Sequence, residues 1–360
     1  MGGGRARRLF GSIAVDANCA AFPPCPGPFG ATDWVQNAAP LPSVRERRNG
    51  PTLLRAKERV MQTSVPSKDR FDLYRTITNK IVAAIETGAG TFVMPWHVGT
   101  ANGRPTNALT GHRYRGVNVV ALWAEAVMSG YGTGWWASYR QWERLGAQVR
   151  RGEHGTVIVF YNRLNTAPTN ELDESGRFRL VARASRVFNL DQVDGWQPPG
   201  PAPVPMVEAL IEVEAFITAT RAVVVHGGPR ACYRRDYDRI ELPARDRFRG
   251  SPTSSASEAY YSTLLHELTH WTGAPHRLNR TFGARFGDND YAFEELVAEL
   301  GAAFLCADLR IANEPRPDHA AYVSSWLEVL NGDRRAVFTA AAKANEAAAC
   351  LQAFSEPDPN

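Results

Sequence analysis

The chain has 360 residues, 44 % hydrophobic and 22 % charged, the profile of a soluble globular protein with room for two cores. No run approaches the roughly 18 apolar residues that a membrane helix needs, and Cys19, Cys25, Cys232, Cys306 and Cys350 lack C-x-x-C spacing, which argues against a disulfide framework or a cysteine zinc site. A net charge of +4 says little about a polyanionic partner; with no secretory signal evident, the cytoplasm is the expected location.

Residues 1–65 are rich in Gly, Pro, Ala and Arg, with nine Lys/Arg against four Asp/Glu and no sustained periodicity. A disordered extension is expected there. Met61 precedes the first well-patterned segment, so a translation start at Met61 is a further expectation. From Phe71 the apolar positions Tyr74, Ile77, Ile81 and Ile85 recur at helical spacing and stop at Gly88. Asn118 is suited to cap a helix through Val120, Trp123 and Val127 that ends near Gly130. Ser138-Tyr-Arg-Gln141 fits a capping box for a third helix ending at Gly146. Thr156–Phe160 and Leu180–Leu190 read as strands. The Pro-rich stretch 196–205 reads as a stiff linker. Beyond it come a helix over Val207–Thr220, a strand over Ala222–Val225, a short strand over Arg239–Pro243, and then helices to the end. The strand at Arg239 suits an edge against which an extended peptide can pair. The fold class is α+β in two domains: a helix-plus-small-sheet domain over 66–195 and a mainly helical domain with a short sheet over 206–355.

The N-terminal domain mixes bases with aromatics. Trp96, Trp123, Trp135, Trp136 and Trp142 fall within 47 residues, and Lys68–Arg163 holds twelve Lys/Arg against six Asp/Glu. Single-stranded nucleic acid is bound by such a mixture, through stacking on aromatic faces and neutralisation of phosphates. The candidate contacts are Trp96, Arg104, Asn107, Arg113, Tyr114, Arg115, Asn118, Trp135, Trp136, Tyr139, Gln141, Arg150 and Arg151. Trp123 and Trp142 lie on apolar helical faces and suit the core instead.

His266-Glu267-Leu268-Thr269-His270 carries the chemistry of the second domain. Two histidines four apart share a helix face and can grip one Zn²⁺, with Glu267 beside them to accept a proton from water. Two residues compete for the third ligand position. His276 completes a spacing like that of metzincins, but no methionine follows it to supply their Met-turn. Glu295 lies on a second patterned helix, one turn before Glu299, which is placed to hold the far nitrogen of a ligand histidine. Glu295 is the preferred ligand, in the manner of thermolysin-like sites, and Glu294 is expected on a solvated face. Tyr291 and His319 are candidate donors to a developing oxyanion.

Taken in order, Tyr74–Glu86, Pro95-Trp96, Pro105-Thr-Asn107, Tyr114-Arg-Gly-Val-Asn118, Tyr139-Arg-Gln141, Val149-Arg-Arg-Gly-Glu153 and Val187-Phe-Asn-Leu-Asp-Gln192 resemble the N-terminal domain of ArdC-type antirestriction proteins, a domain related to parts of TraC-type plasmid primases. His266-Glu-Leu-Thr-His-Trp-Thr-Gly273, Arg277-Leu-Asn-Arg280 and Glu294-Glu-Leu-Val-Ala-Glu299 resemble the zincin-like metallopeptidase domain of the same family. The resemblance implies single-stranded DNA binding, protection of entering DNA on a mobile element, and a thermolysin-like metal site that supports Glu295; one zinc ion is expected there, and a host protein is a further expected partner as its substrate. The competing expectation is a zinc metallopeptidase whose first domain recognises protein rather than DNA.

Overall fold

In the computed structural model, residues 72–89, 93–99, 102–163, 180–199, 206–282, 289–313 and 319–355 are described. The expected extension over 1–65, and the start at Met61, lie outside them. The N-terminal part comprises α1 (Leu73–Ala89), α2 (Pro95–Gly99), β1 (Thr106–Asn107), α3 (Val117–Ser129), β2 (Trp135–Ala137), α4 (Tyr139–Arg144), β3 (Gln148–Val149), β4 (Thr156–Arg163), β5 (Leu180–Asn189) and β6 (Val193–Asp194). The C-terminal part comprises α5 (Met206–Thr220), β7 (Val223–His226), β8 (Cys232–Arg234), β9 (Arg239–Leu242), α6 (Ala256–Thr272), α7 (Asn289–Leu309), α8 (His319–Gly332) and α9 (Ala336–Ala353). The class is α+β, as the sequence indicates.

In the N-terminal part, β1, β2, β5 and β4 form one sheet in that order, and β3 pairs with β6. The periodic segment beginning at Phe71 becomes α1, which buries Ile77, Ile81 and Ile85. Helix α3 ends at Gly130, whose left-handed backbone (φ 70°) turns the chain at no steric cost. Its start corrects the expected cap. Gly116 stands at the N-cap, and Asn118 lies inside the helix with its amide turned into the core. There it donates to Val159 O at 2.8 Å and accepts from Val159 N at 2.9 Å, tying α3 to β4. Ser138 and Gln141 make the reciprocal capping box of α4.

The proline-rich stretch is not all linker. Trp196 packs edge-on against Trp142 and Trp135, at ring separations of 5.3 and 5.7 Å, and joins the small core beneath α4.

In the C-terminal part the sheet order is β7-β9-β8, with β7 parallel and β8 antiparallel to β9. β9 is therefore the central strand, both of its edges are taken, and it is not the free edge that the sequence suggests. Among the described residues, the free edges belong to β7 and β8.

One hydrophobic core runs through both parts. It joins Ile77, Ile81 and Trp123 to Leu264, Leu300, Phe304 and Trp326. Trp123 tilts against Phe304 at 5.8 Å, and Trp96 meets Trp326 edge-on at 6.0 Å. Helices α6 and α7 cross closely at Gly301, where a Cβ would lie 2.5 Å from the methyl group of Thr269. Only a glycine permits that approach, and it brings the acidic face of α7 onto the two histidines of α6.

Candidate metal centre and nucleic-acid interface

Helix α6 starts at a capping box, Ser255 with Glu258, so its first turn is well satisfied. It buries almost everything from Tyr260 to Thr272, including His266, Glu267 and His270. Charged groups at such depth are tolerated only where they have partners. Here α7 supplies them. His266 Nε2 and His270 Nε2 stand 3.1 Å apart. The Glu295 carboxylate faces both, at 3.5 Å from His266 Nε2 and 3.4 Å from His270 Nε2. Metal–ligand bonds of about 2.0–2.1 Å in a tetrahedron separate neighbouring ligand atoms by about 3.3 Å. The three donors therefore fit one divalent ion. Among the described residues they form the one such cluster.

The other nitrogen of each histidine meets its own carboxylate. Glu299 Oε1 lies 3.0 Å from His266 Nδ1, and Glu294 Oε1 lies 3.2 Å from His270 Nδ1. A carboxylate at Nδ1 keeps the ring proton there and turns the Nε2 lone pair toward the ion. Glu294 corrects the expectation of a solvated face: it is buried, and Arg280 grips it through Nε and Nη2, the latter at 2.8 Å. Arg280 Nη1 and Nη2 also donate to Thr272 Oγ1 and Thr269 O, which fixes the guanidinium against α6. Gly273 makes room for this. A Cβ there would lie 2.9 Å from Arg280 Nη2 and 2.5 Å from the Phe282 ring.

Burial penalises the charged form of His270, but Glu295 and Glu294 outweigh it and raise its pKa to about 10. Burial likewise opposes the Glu295 carboxylate, and the two histidines hold it well below the usual range. A pKa raised in this way sets a proton in competition with a metal ion for His270.

His276 lies elsewhere. Its Nε2 is 3.4 Å from Asp238, which also pairs with Arg277. Tyr291 stands one turn before Glu295, its hydroxyl 3.2 Å from that of Tyr322. Burial, then the nearby Glu295, push its pKa up, so it stays protonated as a donor. The side chain of His319 lies outside the described residues. Burial, and after it the Glu267 carboxylate, push the Cys232 thiol of β8 up to about 11.

The structure sorts the nucleic-acid candidates by burial. Trp96, Tyr114, Asn118 and Trp136 are core residues, and their faces cannot stack on a base. The Arg104 side chain is also buried, bound to Asp308 at 2.8 Å and Asn345 at 3.0 Å. These five are corrected from contacts to framework, for the reason that composition does not report which face a side chain takes. Asn107 and Gln141 hydrogen-bond each other at 3.1 Å, and Trp135 leans on Trp196. Arg113, Arg115, Tyr139, Arg150 and Arg151 are exposed. Arg113 reaches Asp308 at 2.7 Å. Tyr139, Arg150 and Arg151, with Gln148 and Phe188, line an open cleft of about 500 Å³. Tyr139 there stands edge-on to Phe188 and accepts from Gln148 Nε2 at 3.0 Å. Arg150 is held by Glu153 and Asp194.

Residues 71–188 match the N-terminal domain of the anti-restriction factor ArdC, and residues 211–343 match a zincin-like metallopeptidase domain. The fold and sequence also match the crystal structure of the metal-free antirestriction ArdC protein from the R388 plasmid, at 38 % identity and TM-score 0.63, over 79 % of this chain and 98 % of that one. The chain belongs to the ArdC antirestriction family. The Mn(II)-bound structure of the same relative matches at 36 % identity and TM-score 0.62, over 80 % and 100 % of the two chains. Protein y4eC of Sinorhizobium fredii is 44 % identical over 299 residues, covering 81 % of this chain and 95 % of y4eC. A DNA primase TraC of Escherichia coli is 34 % identical over 301 residues, but the match spans only 20 % of that primase. The similarity to TraC is thus to one ArdC-like segment, not to the whole primase.

Within this ArdC-family chain, the roles of Gly301, Arg280 and His97 escaped sequence reasoning. Gly301 and Arg280 had readable signals, a glycine inside a helical pattern and an arginine just past the metal motif. His97 had none, because its neighbours in the fold are 200 residues away in sequence. Among the described residues, no helix is long and apolar enough to cross a membrane.

Proposed function

We propose that this ArdC-family chain binds single-stranded DNA through its N-terminal part and hydrolyses peptide bonds at the metal centre of its C-terminal part. The observation that carries the reading is the ring of His266, His270 and Glu295 with Glu267 on the same turn of α6. One ion held by two imidazoles and a carboxylate suits carbonyl hydrolysis better than the paired-metal chemistry common in nucleases. When bound, the ion supplies a Lewis acid that acidifies water and polarises a carbonyl. Glu267 accepts the proton of the attacking water and passes it to the leaving amine. Tyr291, protonated and beside Glu295, is the candidate donor to the developing oxyanion. Among the described residues the outer edge of β8, which packs on α6, is open and offers main-chain hydrogen bonds to an extended peptide. The substrate class is then a protein segment that enters as a strand, with a host defence protein as the proposed partner.

For DNA, the cleft at Tyr139, Arg150 and Arg151 supports the reading best. It combines an exposed ring with guanidinium groups, the pairing that base stacking and phosphate contact need. The test has two arms. Full-length protein titrated into labelled single-stranded DNA across a salt series is expected to bind with an affinity that falls as salt rises. No binding at low salt would favour recognition of protein by the N-terminal part. In the second arm, Glu267→Gln is expected to keep metal and DNA affinity while losing protection of entering DNA. Full protection by that variant would leave masking of DNA as the whole activity.

A further inference from the structure

His97 belongs to the part matched to the ArdC N-terminal domain, yet it ends against the metal centre of the other part. It sits on α2, a helix too short to hold itself. Neighbours fix it instead. Gly99 lies so close to Trp123 of α3 that a Cβ would stand 2.3 Å from the indole ring. Trp96 is wedged edge-on against Trp326 of α8. Helix α2 is thus pinned on both sides of the chain's division, and the His97 ring, almost wholly buried, is directed at α7.

The tautomer of His97 follows from its first contact. Met94 N donates to His97 Nδ1 at 2.9 Å. A nitrogen that accepts carries no proton, so the neutral ring is protonated at Nε2. That Nε2 faces Glu299 Oε2 at 3.6 Å. The other oxygen of the same carboxylate, Oε1, lies 3.0 Å from His266 Nδ1. Glu299 therefore stands between two imidazoles, a metal ligand on one side and a residue of the N-terminal part on the other. A buried carboxylate is stabilised by polar partners at its oxygens. His266 Nδ1 faces one oxygen and His97 Nε2, at ion-pair distance, faces the other.

We propose that His97 is a positioning residue of the metal centre: it holds Glu299 in the orientation that fixes His266, so that the N-terminal part completes the site. The proposal rests on the reading of His266, His270 and Glu295 as ligands. It assigns to α2 a task apart from DNA contact. It also explains why a short, otherwise unremarkable helix is clamped between Trp123 and Trp326.

The experiment is Zn²⁺ affinity by chelator competition, with full-length protein, for the wild type, His97→Phe and His97→Gln, alongside thermal unfolding of each metal-free form. Partners behind metal ligands typically change affinity by about 10–100-fold; for His97→Phe the low end, about tenfold weaker, is expected. His97→Gln keeps an N–H donor at the reach of Nε2, so it is expected within about threefold of the wild type. Packing alone would give a lower unfolding temperature with unchanged affinity, or equal losses in both variants; either result overturns the proposal. Should His97→Phe fail to fold, His97→Gln is compared with His97→Asn, whose shorter amide does not reach Glu299. Weaker binding by the Asn variant supports the proposal, and equal binding overturns it. If the wild type itself takes up no ion, the ligand reading fails and the proposal falls with it, an outcome distinct from a wild type that binds while His97→Phe binds equally well.

Discussion

Glu294 Oε1 stands 3.2 Å from His270 Nδ1 and 2.8 Å from Arg280 Nη2. The carboxylate thus links a metal ligand to a buried cation, and neither contact is visible in the spacing of the motif. Replacing it in Glu294→Gln leaves the Arg280 charge uncompensated in the core. Removing one partner of a buried pair costs about 3–5 kcal/mol. Urea unfolding of the metal-free variant is expected to show a loss of that order. A variant as stable as the wild type would mean that Arg280 finds other compensation.

Metal affinity is expected to rise with pH. In the metal-free protein the His270 pKa is about 10, because Glu295 and Glu294 outweigh its burial. An incoming ion must displace that proton, so affinity climbs by up to about tenfold per pH unit between pH 6 and 9. Stability of the metal-free form moves the other way. The raised His270 pKa contributes stability that is complete below its unfolded value of about 6.5 and is lost as pH rises through about 10. The depressed Glu295 contributes stability present above the ordinary carboxylate range and lost as pH falls through its lowered pKa. Chelator competition at several pH values checks the first statement; a flat profile contradicts it.

Gly301→Ala places a methyl group 2.5 Å from the Thr269 side chain. Helices α6 and α7 must then separate, at a cost of about 1–3 kcal/mol. Because Glu295 rides on α7, metal affinity is expected to fall as well. Thr269→Ala removes the opposing atoms, and in the double variant both losses should shrink. Strictly additive losses in the double-mutant cycle would place the strain elsewhere.

His276→Ala should leave metal affinity unchanged. Its Nε2 accepts from Arg277 Nη1 at 2.6 Å, beside Asp238. A loss matching that of Glu295→Ala would instead make His276 a ligand.

For the exposed cleft, Tyr139→Ala is expected to weaken single-stranded DNA binding by about 1–3 kcal/mol if its ring stacks on a base. Arg151→Ala should weaken binding across all sequences and reduce the salt slope by about 0.7, the share of one phosphate on a single strand. Anisotropy titrations at three salt concentrations measure both. Trp96 and Trp136, being core residues, are expected to act through stability.

Local patterns in the sequence determined much of this protein. The three-and-four spacing of Ile77, Ile81 and Ile85 makes α1, because helical periodicity is a property of neighbours along the chain. The two histidines share a face of α6 for the same reason, and Glu295 and Glu299 share one on α7. Tertiary structure decided which partner each of these meets. It turned Glu294 inward onto His270 and Arg280, sent His276 to Asp238, and brought His97 to Glu299 across 202 positions. It also buried Trp96, Tyr114, Asn118 and Trp136 while leaving Tyr139 and Arg151 in solvent. Aromatic and basic residues suit a core, an ion pair or a nucleic-acid face equally well by composition. Only the packing of one element on another selects among them, since burial and pairing depend on residues far apart in the sequence.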